Sequence, residues 1–250
     1  MRNPSEQPDP ETAKPRDYFA TTQWTVVLNA GRSDSTNARE ALSLLCQSYW
    51  YPLYAYARRR GNSPEDAEDL TQGFFTRLLE LNSLADVRRE KGKFRSFLLA
   101  SLNHYLSDEW DRARAQKRGH GRVASLDAGL AEERFSHEPA DALTPEKLFE
   151  KKWAMTLLES VVQKLQGEYK SAGKGALFTT LRFGIAGDSG AESYTEIASQ
   201  LGMSEPTLRV TIHRLRQRYR QLLRDEIART VASEAEVDGE IRHLFTALAG

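Results

Sequence analysis

A basic segment near the C-terminus holds the residues with the clearest potential chemistry. Between positions 205 and 224 the sequence contains six arginines and a single acid. A short capped helix, a turn centred on Gly202 and a longer basic helix form the arrangement that a DNA-binding helix–turn–helix requires. We expect the longer helix to enter the major groove; a solvated arginine-rich surface helix is the alternative. The residues predicted to read base edges or to hold phosphates are Thr207, Arg209, Val210, Thr211, His213, Arg214, Arg216 and Arg218.

A second basic block, at positions 88–122, carries aromatic residues among its charges. It has ten lysines and arginines against four acids. Aromatic rings beside cations suit single-stranded nucleic acid, because bases stack on the rings while the cations neutralise phosphates. Most helical aromatic residues lie in a core, however, and we assign Phe97 and Tyr105 to it. Phe94, at a helix start, and Trp110, near the end of the same helix, are predicted to be exposed.

An acidic and polar stripe precedes this block. Asp66, Asp69 and Gln72 are each three residues apart and therefore share one helical face. The stripe is a solvated face, a docking face for a basic partner helix, or a pair of catalytic carboxylates. No nucleophile or metal-ligand set accompanies it, and the single cysteine, Cys46, lies in an apolar pattern typical of a core. We therefore expect no catalytic residue, no metal site and no cofactor.

The elements that position these residues are all predicted to be helices. Apolar residues recur at helical spacing from position 22 onward, and no convincing strand alternation is present. Pro52 is expected to kink or split the first long helix. The prediction is an all-α fold of two helical modules joined by a flexible acidic linker, the second module containing the helix–turn–helix. The divisions are a disordered tail at 1–21, a first module at 22–118, a linker at 119–149, a second module at 150–228 and a C-terminal extension at 229–250.

The overall charge of the 250-residue chain is zero, because 35 lysines and arginines balance 35 acids. This neutrality is a sum of blocks: positions 123–150 hold seven acids and two bases, and positions 225–250 hold six acids and two bases. Zero net charge therefore does not exclude nucleic acid as a partner. The sequence has no apolar run long enough for a membrane span, and its N-terminus is polar and proline-rich. We expect a cytoplasmic protein with no membrane span and no signal peptide.

Four segments together resemble a known family. The run SPEDAEDLTQ at positions 63–72, followed by Phe74 and Phe75, resembles region 2.2 of bacterial sigma-70-type RNA polymerase sigma factors. Further resemblances are residues 49–56 to region 2.1, residues 94–98 with Asn103 to regions 2.3 and 2.4, and residues 194–216 to region 4.2. Regions 2 and 4 alone, joined by a linker, are typical of the extracytoplasmic-function group. The module at 22–118 would be region 2-like and the module at 150–228 region 4-like.

The resemblance implies three sets of contacts. A first set would lie on or support the surface that binds the β′ clamp helices of core RNA polymerase: Asp66, Asp69, Gln72 and Phe75. A second set would hold the −10 element as a melted single strand: Lys91, Lys93, Phe94, Asn103, Trp110, Arg112, Arg114 and Arg118. The helix–turn–helix residues named above would read the −35 element in the major groove.

The resemblance also implies partners and a function. The partners would be core RNA polymerase, through its β′ clamp helices and β flap, and promoter DNA; an anti-sigma factor or another regulator is a further candidate. The protein would be a sigma factor and not an enzyme. It would recognise the −10 and −35 elements and promote transcription initiation by stabilising melted DNA. The extension at 229–250 goes beyond the two-region pattern, and we interpret it as a regulatory segment or an extra packing helix.

Three other functions compete with this interpretation. A conventional helix–turn–helix regulator with a sensory N-terminal module would dimerise on a palindromic site, but it gives no reason for the 63–72 string. A nuclease that uses Asp66 and Asp69 would require a metal ion. A protein–protein adaptor would not depend on Arg214.

Overall fold

The computed structural model describes residues 36–80, 93–115, 128–136, 143–186 and 194–249. Every regular element in these ranges is helical, which confirms the predicted all-α class. None of the described helices is long and apolar enough to cross a membrane. The elements are α1 (Thr36–Arg59), α2 (Pro64–Glu80), α3 (Phe94–Ala115), α4 (Ala128–Ser136), α5 (Pro145–Ser171), α6 (Gly175–Leu181), α7 (Phe183–Ala186), α8 (Tyr194–Gln200), α9 (Glu205–Ala228), a 3-10 turn (Glu234–Glu236) and α10 (Val237–Ala249).

Helix α1 continues through Pro52, so the expectation that this residue splits the helix is wrong. A proline inside a helix costs about 3 kcal/mol, because it removes one backbone hydrogen bond and crowds the preceding turn. Fully burying one large apolar side chain contributes about 1.5–3 kcal/mol. Tyr49, Leu53 and Tyr56, on either side of the proline, are all buried. Their packing therefore outweighs the defect.

Helix α5 is the element on which the described parts of the fold converge. It packs against α1, α9 and α10. Phe149 and Trp153 are buried, and the Phe149 ring meets the Tyr56 ring of α1 edge-on with centroids 6.5 Å apart. The helix begins at Pro145, inside the segment predicted as linker, where Thr144 accepts a hydrogen bond from the Lys147 backbone N–H at 3.3 Å. Helices from the two predicted modules thus share one hydrophobic core.

Helix α4 also lies in the predicted linker, and it is docked. Ala131 is buried against Tyr54 of α1 and Ala67 of α2. The Tyr54 hydroxyl donates to the Glu132 carboxylate at 2.6 Å. The described parts of residues 119–149 are therefore packed elements and not a flexible spacer. The predicted tail at 1–21 and the remaining linker residues lie outside the described ranges.

The C-terminal extension forms the 3-10 turn and α10. Helix α10 packs against α5 and α9. Thr230, Val231, Val237 and Leu244 are buried. The extension therefore packs on the fold as an additional helix.

Candidate nucleic-acid interface

Helices α8 and α9 and the turn between them are built by local signals. Gly202 has a φ of +64°, a left-handed conformation that glycine adopts without strain, and it ends α8. The Ser204 hydroxyl then accepts a hydrogen bond from the Thr207 backbone N–H at 3.3 Å and starts α9. The predicted stop and cap are confirmed. The buried side chains at this junction are Ile197, Ala198, Leu208 and Ile212, and α8 packs on α9.

The predicted reader residues lie on the surface of α9. Six of the eight are exposed: Thr207, Arg209, Val210, His213, Arg214 and Arg218. Thr211 and Arg216 are half-buried. Val210 is 49% exposed, which is unusual for an apolar side chain on a packed helix. The structure thus brings a threonine-, valine- and arginine-containing face together in the first turns of α9.

Three of these arginines already have partners. Arg209 donates to Glu205 from Nε at 3.0 Å and Nη2 at 2.6 Å, and it stacks over the Tyr194 ring at 4.8 Å. Hydrogen bonds from Arg209, and then from the Thr195 hydroxyl, hold the pKa of Glu205 below its ordinary value.

The other two partnered arginines lie further along α9. Arg218 donates to Glu168 of α5 at 2.8 Å, and Arg216 donates to the Gly184 carbonyl at 2.5 Å. Arg214 makes no ion pair within the described ranges and is exposed. It is therefore the arginine of this face that is most available to a ligand.

The prediction that Phe94 is exposed is wrong. Its side chain is fully buried and not exposed, and its ring packs edge-on against Tyr49 with centroids 5.4 Å apart. Its backbone N–H donates to the Thr230 carbonyl of the C-terminal segment at 3.1 Å. The C-terminal segment therefore contacts the first residue of α3. In this conformation Phe94 cannot stack on a nucleic-acid base.

Of the other residues predicted to hold a single strand, some are exposed, some are bonded within the fold, and some lie outside the described residues. Trp110 is 63% exposed, as predicted, and the exposed Arg112 pairs with Glu109 one turn away. Asn103 accepts hydrogen bonds from the Tyr56 hydroxyl at 2.8 Å and from Arg60 at 3.2 Å. Lys93 is held by an ion pair to the C-terminal helix. Lys91, Arg118 and the side chain of Arg114 lie outside the described residues.

The acidic face of α2 is open to a partner. Ser63 caps the helix by accepting the Asp66 backbone N–H at 3.1 Å, as predicted, and Asp66 and Asp69 are exposed. Gln72 is half-buried and donates to Glu68 at 3.0 Å. Phe75 is only 4% exposed, so it supports this face from beneath and does not form part of its surface.

A buried charge cluster beside Phe94 was missed by sequence reasoning. Arg95 is 3% exposed and pairs with Glu150 of α5 and with Glu240 of α10. The sequence did contain an indication of this burial. Glu240 lies three residues after Val237 and four residues before Leu244, so it shares the inner face of α10 with them. An acid at such a position requires a buried cation, but the spacing does not identify which one.

Comparison with known proteins gives two matches. Residues 45–116 match Sigma-70 region 2, a stretch that includes α2 and α3. The chain is also 26% identical over 181 residues to the ECF RNA polymerase sigma factor SigE of Mycolicibacterium smegmatis. That alignment covers 72% of this chain and 61% of the relative, so the chain spans about three fifths of the relative's length. No significant match to a solved structure was found.

Proposed function

We propose that this chain, which belongs to the sigma-70 family of RNA polymerase sigma factors and is of the extracytoplasmic-function type, is a transcription initiation factor that directs core RNA polymerase to promoters. It contributes binding energy and no catalytic group. It recognises −10 and −35 promoter elements and stabilises the melted strand. Its partners are core polymerase and promoter DNA.

One observation carries this proposal. The Sigma-70 region 2 match at residues 45–116 stands in the same chain as a capped two-helix unit with a basic, solvent-exposed face. Either feature alone would suit other DNA-binding proteins. The combination supplies a polymerase-docking module and a second DNA-reading module in one polypeptide.

The acidic face of α2 is the proposed docking surface for the β′ clamp helices. Asp66 and Asp69 are exposed, and Phe75 and Leu78 beneath them are buried, so the face is rigid. Acidic side chains on a rigid face attract a basic partner and orient it. Gln72, held by Glu68, adds a polar group at the edge.

The DNA contacts are proposed for α9 and for α3, at Lys93 directly before its first residue and along its second half. In the major groove, the first turns of α9 would bring Thr207, Val210 and Arg214 to base edges. Trp110, exposed and followed by Arg112, suits a melted strand, where a base stacked on an aromatic ring contributes about 1–3 kcal/mol. Arg209 and Arg218 would exchange their carboxylate partners for phosphates.

Run-off transcription with purified core polymerase tests the proposal. The template is fragmented genomic DNA from the source organism, and transcripts are mapped with core alone, with this protein alone and with the two together. We expect defined new 5′ ends only when the two are combined. Arg214→Ala should remove these transcripts, whereas Arg220→Ala, an exposed arginine further along α9, should retain most of them. Tight, sequence-specific binding of duplex DNA as a dimer without polymerase would instead establish the conventional regulator.

A further inference from the structure

We propose that the C-terminal segment containing α10 is a latch that closes the single-strand-binding face at the start of α3, with the Glu240 carboxylate occupying the place of a nucleic-acid phosphate beside Lys93 and Arg95. This inference rests on the proposed function and assigns a means of regulation to the same site. The latch is defined as residues 230–249.

The central contact is a carboxylate between two cations. Glu240 is fully buried. Its Oε2 lies 2.7 Å from Lys93 Nζ, and its Oε1 lies 2.8 Å from Arg95 Nε. A second bond, from Arg95 Nη2 to Oε2, is 3.3 Å long. A carboxylate that accepts from Lys and Arg in this way satisfies the same donors that would hold a phosphate.

The cluster joins three elements. Arg95 also donates from Nη1 to Glu150 of α5 at 2.9 Å, and its guanidinium lies over the Trp153 ring at 4.8 Å. The other Glu150 oxygen lies 3.0 Å from Nε2 of His243, one turn beyond Glu240 on α10. The charged and titratable groups that face one another in the cluster are therefore Lys93, Arg95, Glu150, Glu240 and His243.

The latch also contacts the backbone at the start of α3, besides the side chains of Lys93 and Arg95. The Thr230 carbonyl accepts the Phe94 backbone N–H at 3.1 Å, so the latch also spans the first residue of α3. Lys93, the residue before it, is one of the positions at which a melted strand is proposed to bind. While Lys93 is paired with Glu240, its charge is already neutralised and attracts a phosphate only weakly. The closed latch and single-stranded DNA therefore compete at this end of α3.

The chemistry of the contact favours a switch over a purely structural role. A buried ion pair is often no more stabilising than apolar side chains of the same volume, because desolvation offsets the attraction. A leucine at the Glu240 position would serve a permanent packing helix.

The same helix contacts the second candidate DNA-binding element. Asp238 pairs with Arg224, which lies in the last turns of α9. The latch thus spans from the start of α3 to the end of α9. Release of α10 would free a cation at each end.

Fluorescence anisotropy with a labelled single-stranded oligonucleotide of roughly 16 nucleotides, enough for one binding site, measures the competition. The full chain is compared with Glu240→Gln, which keeps the side-chain shape and removes the charge. We expect the variant to bind about tenfold more tightly, in the range that a coupling between two states produces. The matched control is Glu234→Gln, an exposed acid in the same extension, which changes the net charge equally and should bind like the unmodified chain.

A second measurement keeps the proposal falsifiable if Glu240→Gln does not fold, as judged by circular dichroism. Hydrogen exchange of the backbone amides in α10 is measured on the unmodified chain, with and without the oligonucleotide. The latch predicts faster exchange in α10 when the oligonucleotide is bound. Unchanged exchange, or equal affinity of a folded Glu240→Gln variant, would overturn the proposal.

The outcomes also separate the latch from the proposed function. If the unmodified chain and Glu240→Gln support run-off transcription equally and bind the oligonucleotide equally, the latch is wrong and the sigma-factor function stands. If neither supports transcription with core polymerase although the variant binds the oligonucleotide more tightly, the latch stands on a protein of another function.

Discussion

Arg58 of α1 holds Glu132 of α4 through two hydrogen bonds, from Nε at 2.9 Å and from Nη2 at 2.8 Å, across 74 residues of chain. The Tyr54 hydroxyl donates to the same carboxylate at 2.6 Å. The hydrogen bonds from Arg58 are the main cause that lowers the pKa of Glu132 below its ordinary value of 4.5. A short acidic helix that composition alone assigns to a linker is thereby fixed to the first helix of the fold.

Glu132→Gln should loosen α4 without unfolding the rest of the chain. The two side chains are partly exposed, so we expect a loss of only about 1 kcal/mol in the free energy of local opening. Hydrogen exchange of the α4 amides, or the rate of proteolytic cleavage there, measures it. Glu133→Gln, an exposed neighbour, is the control and should have a smaller effect.

The same pair predicts a pH dependence. A carboxyl whose pKa is lower in the folded state contributes stability above its unfolded pKa, and this contribution is lost as the pH falls through the folded pKa. The difference between the unmodified chain and Glu132→Gln should therefore be full at pH 7 and shrink below about 4.5. A difference that grows as the pH falls would contradict the assigned pairing.

Phe94→Ala should be a core substitution. The ring is fully buried against Tyr49, and removing it leaves a cavity at the start of α3. We expect a loss of about 3–5 kcal/mol in the free energy of unfolding. Thermal or urea unfolding of the full chain measures it, with Phe245→Ala, an aromatic residue that is 53% exposed, as the control. Equal effects of the two substitutions would show that Phe94 is not a core residue in solution.

Local signals in the sequence predicted the helix starts well, whereas the partners of α3 depended on distant residues. Ser63 and Ser204 cap helices because a hydroxyl and a backbone N–H lie three residues apart in the chain, which is a local relationship. Phe94 was predicted to be exposed because it begins a helix. Its burial depends on Tyr49 and on the C-terminal segment, and no local pattern reports those contacts.

The charge pattern of the sequence predicted which segments are acidic or basic, but it did not predict which ion pairs their residues form. The acids at 123–150 predicted a flexible linker, yet Glu132 and Glu150 each pair with an arginine of the first predicted module. Arg95 is a basic residue whose partners were likewise not predicted. The sequence analysis counted it only as part of a basic block, whereas in the fold it is buried and pairs with Glu150 and Glu240.

Trp110→Ala should separate stability from single-strand binding. The side chain is 63% exposed, so the free energy of unfolding should change by less than about 0.5 kcal/mol. Loss of a stacked base should weaken oligonucleotide binding by about 1–3 kcal/mol, measured by anisotropy. Trp110→Phe should recover most of the affinity because it restores a stacking surface. Unchanged affinity in Trp110→Ala would remove this residue from the proposed interface.

Asp69→Asn should slow association with core polymerase. An exposed charge on a docking face acts mainly on the association rate, and we expect a decrease of about fivefold at low salt that fades as salt rises. Stopped-flow or surface-plasmon measurements give the rate. Glu65→Gln is the matched control, since it removes an exposed charge from the same helix outside the proposed face. Equal rates for the two variants would argue against this docking face.

Glu168 restrains Arg218, and its removal should strengthen DNA binding by the holoenzyme. Arg218 donates to Glu168 at 2.8 Å, and this hydrogen bond holds the pKa of the carboxyl below its ordinary value, so the pair is charged at neutral pH. In the proposed complex Arg218 leaves Glu168 for a phosphate, which costs the energy of the exposed pair, about 0.2–1 kcal/mol. Glu168→Gln removes that cost. The expected gain in affinity for a promoter fragment is severalfold at most, and it should persist on promoters of different sequence, because phosphate contacts carry no sequence information.

The control for Glu168→Gln is a substitution of another acid of α5. Glu159→Gln also removes one exposed negative charge from α5, but Glu159 pairs with Arg134 and not with an arginine of α9. Filter binding across a range of salt concentrations distinguishes the two. Arg218→Ala should reduce the slope of log affinity against log salt by about 1, whereas Glu168→Gln leaves the slope unchanged because the phosphate contact still forms. If Glu159→Gln raises affinity as much as Glu168→Gln, the gain is a general effect of charge, and Arg218 is not a phosphate-binding residue.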